Sequence, residues 1–596
     1  MREYTSTDKV ELGEGNLTSM VWNNAERHPA RVVLSRPAGD GWQPVTTTEF
    51  RDQVVAVAKG LIASGLQPGD RIGLMSRTRY EWTLFDFAIW AAGCVSVPIY
   101  ETSSAHQLEW ILSDSGAVAC VLERDTNQRA YDEIADKATE VKHVWQIETG
   151  AVDALVEAGK GISDDEVTAR RATLNWDSLA TILYTSGTTG RPKGCELTHG
   201  NLYFDVVSAT SGLANIFNDD SSTLLFVPIA HVLGRVIEVG CVYKMVRLGH
   251  VPDTTKLLDD LASFRPTFLL AVPRVFEKVY NGAKQKAYDG GKGRIFDAAE
   301  ATAVAYSEAL DRGGPGLGLK AKHALFDRLV YSKLRAAVGG RCVAAISGGG
   351  PLGARLGHFF RGIGLNIYEG YGLTESTAAA TLNLQHAQKV GSVGRPIPGT
   401  AVRIADDKEI LLRGGNIFRR YWNNPAATAD ALSEDGWFST GDLGELDDNG
   451  YLTITGRKKE IIVTAAGKNV APAVLEDRLR AHPLISQAMV VGDRKPFIAC
   501  LVTIDPEAWP GWLERNGKPA GATVAELVED AELIAEIQAC VDEANKAVSR
   551  AESIRKFRIL VDDFTVENEM LTPSLKVKRN VVMTEYAGDV EAIYSP

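Results

Sequence analysis

The stretch that decides the reading is Tyr184–Gly194, YTSGTTGRPKG. Gly187, Gly190 and Gly194 leave backbone N–H groups open to close approach, Thr185, Ser186, Thr188 and Thr189 add hydroxyl donors, and Lys193 adds an ammonium. Those are the groups that hold a polyphosphate. The apolar run before it, Ala180–Leu183, reads as a strand, and a flexible linker would need neither that strand nor the lysine. The stretch is not a Walker A loop, because Pro192 stands where its second glycine would have to be. Nor is there a dinucleotide fingerprint elsewhere: the G-x-G-x-x-A match at Gly316–Ala321 follows DRGGP rather than a strand.

Outward from that loop, β-rich apolar runs alternate with helical patterns between about residues 46 and 450. Arg71–Met75, Leu224–Val227, Phe268–Val272 and Cys342–Ile346 read as strands, and Leu202–Leu213 and Val275–Tyr288 as helices. This alternation predicts an α/β fold of parallel sheets covered by helices. An Ala-rich stretch from Glu277 to Val338, broken at Asp311–Gly318, reads as a helical elaboration on that body. After Lys389, short alternating runs such as Ala401–Ile404 and Glu409–Leu412 predict antiparallel β structure. The turn-rich Asp447–Gly456, DDNGYLTITG, is the best boundary, giving domains 1–456 and 457–596, the second a smaller α+β unit.

At 596 residues, 45% hydrophobic and 23% charged, the chain is an ordinary globular protein several times longer than the domain prior of about 150 residues. Its 64 Lys+Arg against 76 Asp+Glu give −12, a field that repels phosphate backbones and makes nucleic acid a poor partner. The first sixteen residues hold no apolar run of a signal peptide, and Phe87–Tyr100, interrupted by Ser96 and Pro98, is shorter than the ~20 residues that span a bilayer. Seven scattered cysteines without a C-x-x-C pair fit a reducing compartment and read as small buried hydrophobes.

YTSGTTGRPKG resembles the phosphate-binding signature of the adenylate-forming superfamily of acyl-CoA synthetases, adenylation domains and luciferases. VPIAHVLGR (227–235), ISGGGPLG (346–353), YEGYGLTES (368–376), STGDLG (439–444), GRKKEIIVTAAGKNVAP (456–472) and LTPSLKVKR (571–579) then follow in the family's order. The likeness covers almost the whole chain and is greatest to the bacterial long-chain fatty acyl-CoA synthetases. It implies a large N-terminal domain of helix-covered β-sheets with a β-barrel-like part, plus a mobile C-terminal lid.

The resemblance also implies roles. Thr185, Ser186, Gly187, Thr188, Thr189, Gly190 and Lys193 would hold the β- and γ-phosphates of ATP, with Gly348 and Gly349 close to the adenine and Tyr371 against its face. Thr374 would meet the α-phosphate and Glu375 Mg²⁺, a hard cation suited to a carboxylate. Asp442 and Arg457 would orient the ribose, and His231 would stand between the carboxylate site and the thiol channel. Lys576 becomes the adenylation lysine, Lys459 the hinge, and the Ala466-Gly467 turn a neighbour of the channel for CoA. Two residues depart from the common pattern: Leu575 replaces the glycine before the lysine, and Glu460 replaces an aspartate.

The implied activity is ATP- and Mg²⁺-dependent ligation of a long-chain fatty acid to CoA through acyl-AMP. The apolar neighbours of His231 argue against an amino-acid substrate, which would require an acid there. The rivals are a fatty acyl-AMP ligase that passes its product to a carrier protein, and a non-catalytic acyl or nucleotide binder, which would show eroded motifs. The implied location is cytoplasmic, with weak peripheral association at the inner face of a membrane, although −12 offers no long-range attraction to anionic lipid.

Overall fold

The computed structural model describes residues 1–39, 41–185, 191–572 and 575–595. Among them the strands build sheets of nine, seven, five, three and two strands. The nine-stranded sheet has a parallel centre, Asn366–Tyr371, Ala344–Ser347, Phe268–Ala271, Ser222–Leu225 and Arg247–His250, with antiparallel strands at both edges. The seven-stranded sheet runs Arg420–Tyr421, Gly194–Thr198, Leu179–Tyr184, Val95–Ile99, Arg71–Met75, Ala117–Leu122, His143–Gln146. Strand Phe268–Ala271 is buried at every position, which is why it reads as an unbroken apolar run.

Helix Tyr80–Ala91 packs against strands of both sheets and buries every residue except Glu81. A helix apolar on all sides has no solvent face to offer and belongs between layers. The helix after the signature loop spans His199–Ser211, not Leu202–Leu213, because Thr198 and Asn201 form a capping box that starts it earlier. The Ala-rich elaboration is Pro273–Asp289, Gly293–Leu310 and Leu317–Phe326, the last running through a π-helical turn into Ser332–Ala337. The antiparallel part is a five-stranded sheet whose edge strand, Glu3–Thr5, pairs with Thr400–Ile404.

The buried core of this body ends at Leu452, and a separate core begins at Ile462. In the C-terminal unit, strand Ile498–Ile504 is buried throughout between two clusters. Ile498, Cys500, Val502 and Ile504 face one, and Ala499 and Leu501 the other, as the two-residue period of a strand requires. All seven cysteines are buried free thiols. No helix among the described residues is long and apolar enough to cross a membrane.

Candidate active site

A cavity of about 3390 Å³ opens where several parallel strands of the nine-stranded sheet end. Ser222–Leu225 leads into Phe226–Leu233, Ala344–Ser347 into Gly348–Gly350, and Asn366–Tyr371 into Gly372–Glu375, and each of these segments contributes to the wall. Ligands bind at the carboxyl ends of strands in open α/β sheets because the chain turns there and leaves backbone and loop side chains unpaired.

Thr185 and Lys193 both line the cavity, and the Thr185 N–H donates to the Lys193 carbonyl at 3.0 Å, closing the neck of the signature loop. The loop joins antiparallel strands, Leu179–Tyr184 and Gly194–Thr198. Ser186, Gly187, Thr188, Thr189 and Gly190 lie outside the described residues. Lys193 Nζ stands 4.4 Å over the ring of Tyr421, whose hydroxyl donates to Glu375 Oε1 at 2.7 Å. Tyr421 has no counterpart in the sequence reading, since nothing in FRRYWNN signals that it meets residues so far away.

Asp442 is the centre of a second group. Tyr371 Oη donates to its Oδ2 at 2.7 Å and Arg457 Nε to its Oδ1 at 2.8 Å. The arrangement is local in origin, because Asp442 and Arg457 are direct partners across the antiparallel pair Phe438–Leu446 and Leu452–Arg457. Burial and the Asp442 carboxylate together push the Tyr371 phenol well above its ordinary range, so it stays a donor.

Gly348, Gly349, Thr374 and Glu375 share the wall with these groups. Gly349 has φ +81°, a left-handed conformation that glycine adopts without strain. Buried Glu369 accepts from the Leu352 N–H at 3.2 Å and so pins the end of the glycine turn, and burial raises its pKa to about 7. Thr377 and Ala378, at φ 54° and 86°, carry backbone strain directly after Glu375. Sequence reasoning gave no role to Glu369, which lies inside the YEGYGLTES motif, or to Thr377 and Ala378, which follow it, because their parts depend on a backbone contact and on backbone conformation.

His231 precedes helix Val232–Lys244 and caps it: its Nδ1 accepts from the Leu233 N–H at 3.2 Å, which leaves the ring proton on Nε2. Burial first and the positive Lys576 second lower its pKa to about 4, so the ring is neutral near pH 7. Lys576 itself lines the cavity, while Lys578 does not. Desolvation by the cavity walls and then Arg457 draw its ammonium below the ordinary lysine value, opposed by Asp442, Glu460 and Glu375. Leu575, in place of the common glycine, has φ +61°.

Lys459 also lines the cavity, on the short turn Lys458–Glu460, whose other lysine is tied to Asp407 and Glu409 at 2.6 and 2.9 Å. Gly467 is the site residue this arrangement does not bring in. It has φ +78°, lies exposed in the turn between Ile462–Val463 and Asn469–Val470, and does not line the cavity. Among the described residues no three acidic, His or Cys side chains converge to hold a metal alone. A single carboxylate, Glu375, beside a cationic phosphate-type site suits Mg²⁺, which keeps most of its waters and shares phosphate oxygens.

The model of the AMP-binding enzymes matches residues 21–422, and that of their C-terminal domain residues 459–596. The chain belongs to the AMP-binding enzyme family. It is 54% identical to the long-chain-fatty-acid–CoA ligase FadD15 of Mycobacterium tuberculosis, with 100% of both chains covered. The AMP-binding fold recurs in the adenylation domain of a Mycobacterium chelonae carboxylate reductase (TM-score 0.75, 22% identity, 98% of this chain and 91% of that one). It recurs too in the Bacillus subtilis O-succinylbenzoate coenzyme A synthetase solved with ATP and magnesium (TM-score 0.68, 21% identity, 95% and 99% covered).

Proposed function

We propose that the protein is an AMP-forming long-chain fatty acid:CoA ligase. The observation that carries this reading is that one cavity unites Lys193, Tyr371, Glu375, Asp442, Arg457 and Lys576, drawn from five motifs, with an apolar extension. Val275, Val279, Ala283, Val330 and Leu334 wall that extension. Each buried methylene is worth ~0.8 kcal/mol, so such a wall selects long chains. Full-length likeness to the long-chain-fatty-acid–CoA ligase FadD15 supports a fatty acid and CoA as substrates.

In this reading Lys193 and Thr185 hold the β- and γ-phosphates, Tyr371 covers the adenine beside Gly348 and Gly349, and the Asp442–Arg457 pair orients the ribose. Mg²⁺, held by Glu375, would neutralise phosphate charge when bound. A fatty carboxylate oxygen attacks the α-phosphorus, the bond to the β-phosphate oxygen breaks, and pyrophosphate leaves. Thr374 donates to the α-phosphate, and the Lys576 ammonium faces the oxygens that gain charge. The CoA sulfur then attacks the acyl carbonyl and AMP departs with the electron pair of the broken C–O bond.

The second step needs room where Lys576 stands, so residues 457–596 are assigned as a lid that turns at Lys459. The separate cores on either side of residues 453–461 support this division, and the remote Gly467 supports a second arrangement that carries it to the thiol. A cytoplasmic enzyme of this kind meets its substrate at a bilayer surface.

Fatty-acid-dependent exchange of labelled pyrophosphate into ATP, followed by addition of CoA, tests the proposal. Absence of exchange with any fatty acid overturns it. Exchange without acyl-CoA formation reassigns the second step to a carrier protein.

A further inference from the structure

Directly behind Glu375 the chain makes a turn that carries backbone strain. Ser376 and Thr377 are fully buried, Thr377 and Ala378 hold φ 54° and 86°, and the turn folds back so closely that a Cβ on Gly372 would stand 1.7 Å from the Ala378 carbonyl oxygen. Two successive residues other than glycine keep such a conformation only where their surroundings over-determine it. The surroundings here come from two elements remote in sequence. One is the segment after Gly415. Buried Asn416 donates through Nδ2 to the carbonyls of Ser376 at 3.2 Å and Ala379 at 2.8 Å, and its own carbonyl accepts from Thr377 Oγ1 at 2.6 Å. Two residues on, the Phe418 N–H donates to the Glu375 carbonyl at 2.8 Å, and Tyr421, whose hydroxyl holds the Glu375 carboxylate, lies on the same segment.

The other element is helix His199–Ser211. Its fully buried Asp205 accepts from the Ala379 N–H at 3.1 Å through Oδ1, while Asn201 donates to the Gly415 and Ile417 carbonyls at 2.8 and 3.0 Å. Asp205 Oδ2 has no hydrogen-bond partner among the described residues, so this acid costs stability where an apolar side chain would not, and the hydrogen bond it does make goes to the strained turn. The helix follows directly from strand Gly194–Thr198, which ends the signature loop and pairs with Arg420–Tyr421. We infer that Asp205, Asn416 and Thr377 are positioning residues for Glu375: together they fix the turn behind it and hold its carboxylate ready for Mg²⁺, in register with the signature loop. None of the three lines the cavity, so each acts through Glu375 and not on a ligand. The inference rests on the reading of Glu375 as the Mg²⁺ carboxylate.

Binding of α,β-methylene-ATP, which cannot be split at the bond the reaction breaks, is measured by calorimetry on the full-length protein in excess Mg²⁺ and in EDTA, alongside the thermal midpoint of each variant. The parent protein is expected to bind more tightly with Mg²⁺, and Glu375→Gln to lose that gain. Asp205→Ala and Thr377→Val each remove one hydrogen bond of the network, and each is expected to lose roughly tenfold or more of the Mg²⁺-dependent gain while affinity in EDTA stays at the parent's value. Asp205→Asn and Thr377→Ser keep the oxygen that makes the bond and should restore the gain. A lowered midpoint with the full Mg²⁺ gain in Asp205→Ala and Thr377→Val makes these residues structural only and overturns the inference. So does an equal loss of affinity with and without Mg²⁺. Absence of any Mg²⁺ gain in the parent overturns the reading of Glu375 itself, which is a different result. Where Asp205→Ala does not fold, Thr377→Val, which keeps the shape of the side chain, decides alone.

Discussion

Lys576 shows how a single residue is placed by its neighbours. Its N–H donates to Thr572 Oγ1 at 3.1 Å and its carbonyl accepts from the Thr572 N–H at 2.8 Å, and the preceding Leu575 has φ +61°. Lys576→Ala is expected to slow acyl-AMP formation ~10²-fold or more, about 2.7 kcal/mol, because a positive charge is lost from oxygens that gain negative charge. Conversion of supplied acyl-AMP and CoA should persist; assaying the half-reactions separately checks this, and Lys578→Ala serves as the control for register. Glu369 gives a pH signature. Burial lifts its pKa to about 7, so the folded state keeps a proton that the unfolded state releases above about 4.5. More protons are then bound folded than unfolded, and this group's contribution falls as pH rises from about 4.5 to 7. Glu369→Gln should therefore match the parent in stability below that window and exceed it by up to ~3 kcal/mol above it, as denaturant titrations at several pH values would show. Lys193, Tyr371, Glu375, Asp442 and Lys576, all of which line the cavity, were singled out because their motifs resemble those of the adenylate-forming superfamily. Tyr421 and Glu369 were not, since their roles depend on contacts with Glu375 and Leu352.

Elements fix the site through register and close packing. The Asp442–Arg457 pair exists because two antiparallel strands place those residues opposite each other, and a one-residue slip would turn both side chains away. Helix Ala354–Gly362, which follows the glycine turn, packs so closely on Gly293–Leu310 that a Cβ on Gly362 would stand 2.1 Å from the Ala303 carbonyl oxygen. Gly362→Ala is expected to destabilise the protein by about 1–3 kcal/mol, read as a lowered midpoint in denaturant, because the helices must separate to admit the methyl. The strands and helices were visible from periodicity, with ends misjudged by a few residues where a capping box, as at Thr198, overrode the apolar pattern. Invisible was the pairing of Glu3–Thr5 with a strand some four hundred residues away, because a three-residue strand carries no period of its own.

At the scale of the molecule, the two cores are joined by ion pairs. Arg274 reaches Asp505 at 3.0 Å and Lys278 reaches Glu507 at 2.8 Å, and both cations lie on helix Pro273–Asp289, which also supplies Val275, Val279 and Ala283 to the apolar wall. Arg274→Ala should loosen the arrangement that holds Lys576 at the cavity, slowing adenylation roughly threefold, about 0.7 kcal/mol, without slowing thioester formation from acyl-AMP. Equal slowing of both half-reactions would show that the pair does not favour one arrangement. The sequence by itself determined the fold class and the family, because buried strands between helices read as apolar runs and the seven motifs stand in the family's order along the chain. Only the tertiary structure decided which lysine of the C-terminal run lines the cavity, which tyrosine bridges Lys193 and Glu375, and that buried Asp205 meets the turn behind Glu375. These are facts of distance between residues remote in sequence, and no local pattern encodes a distance.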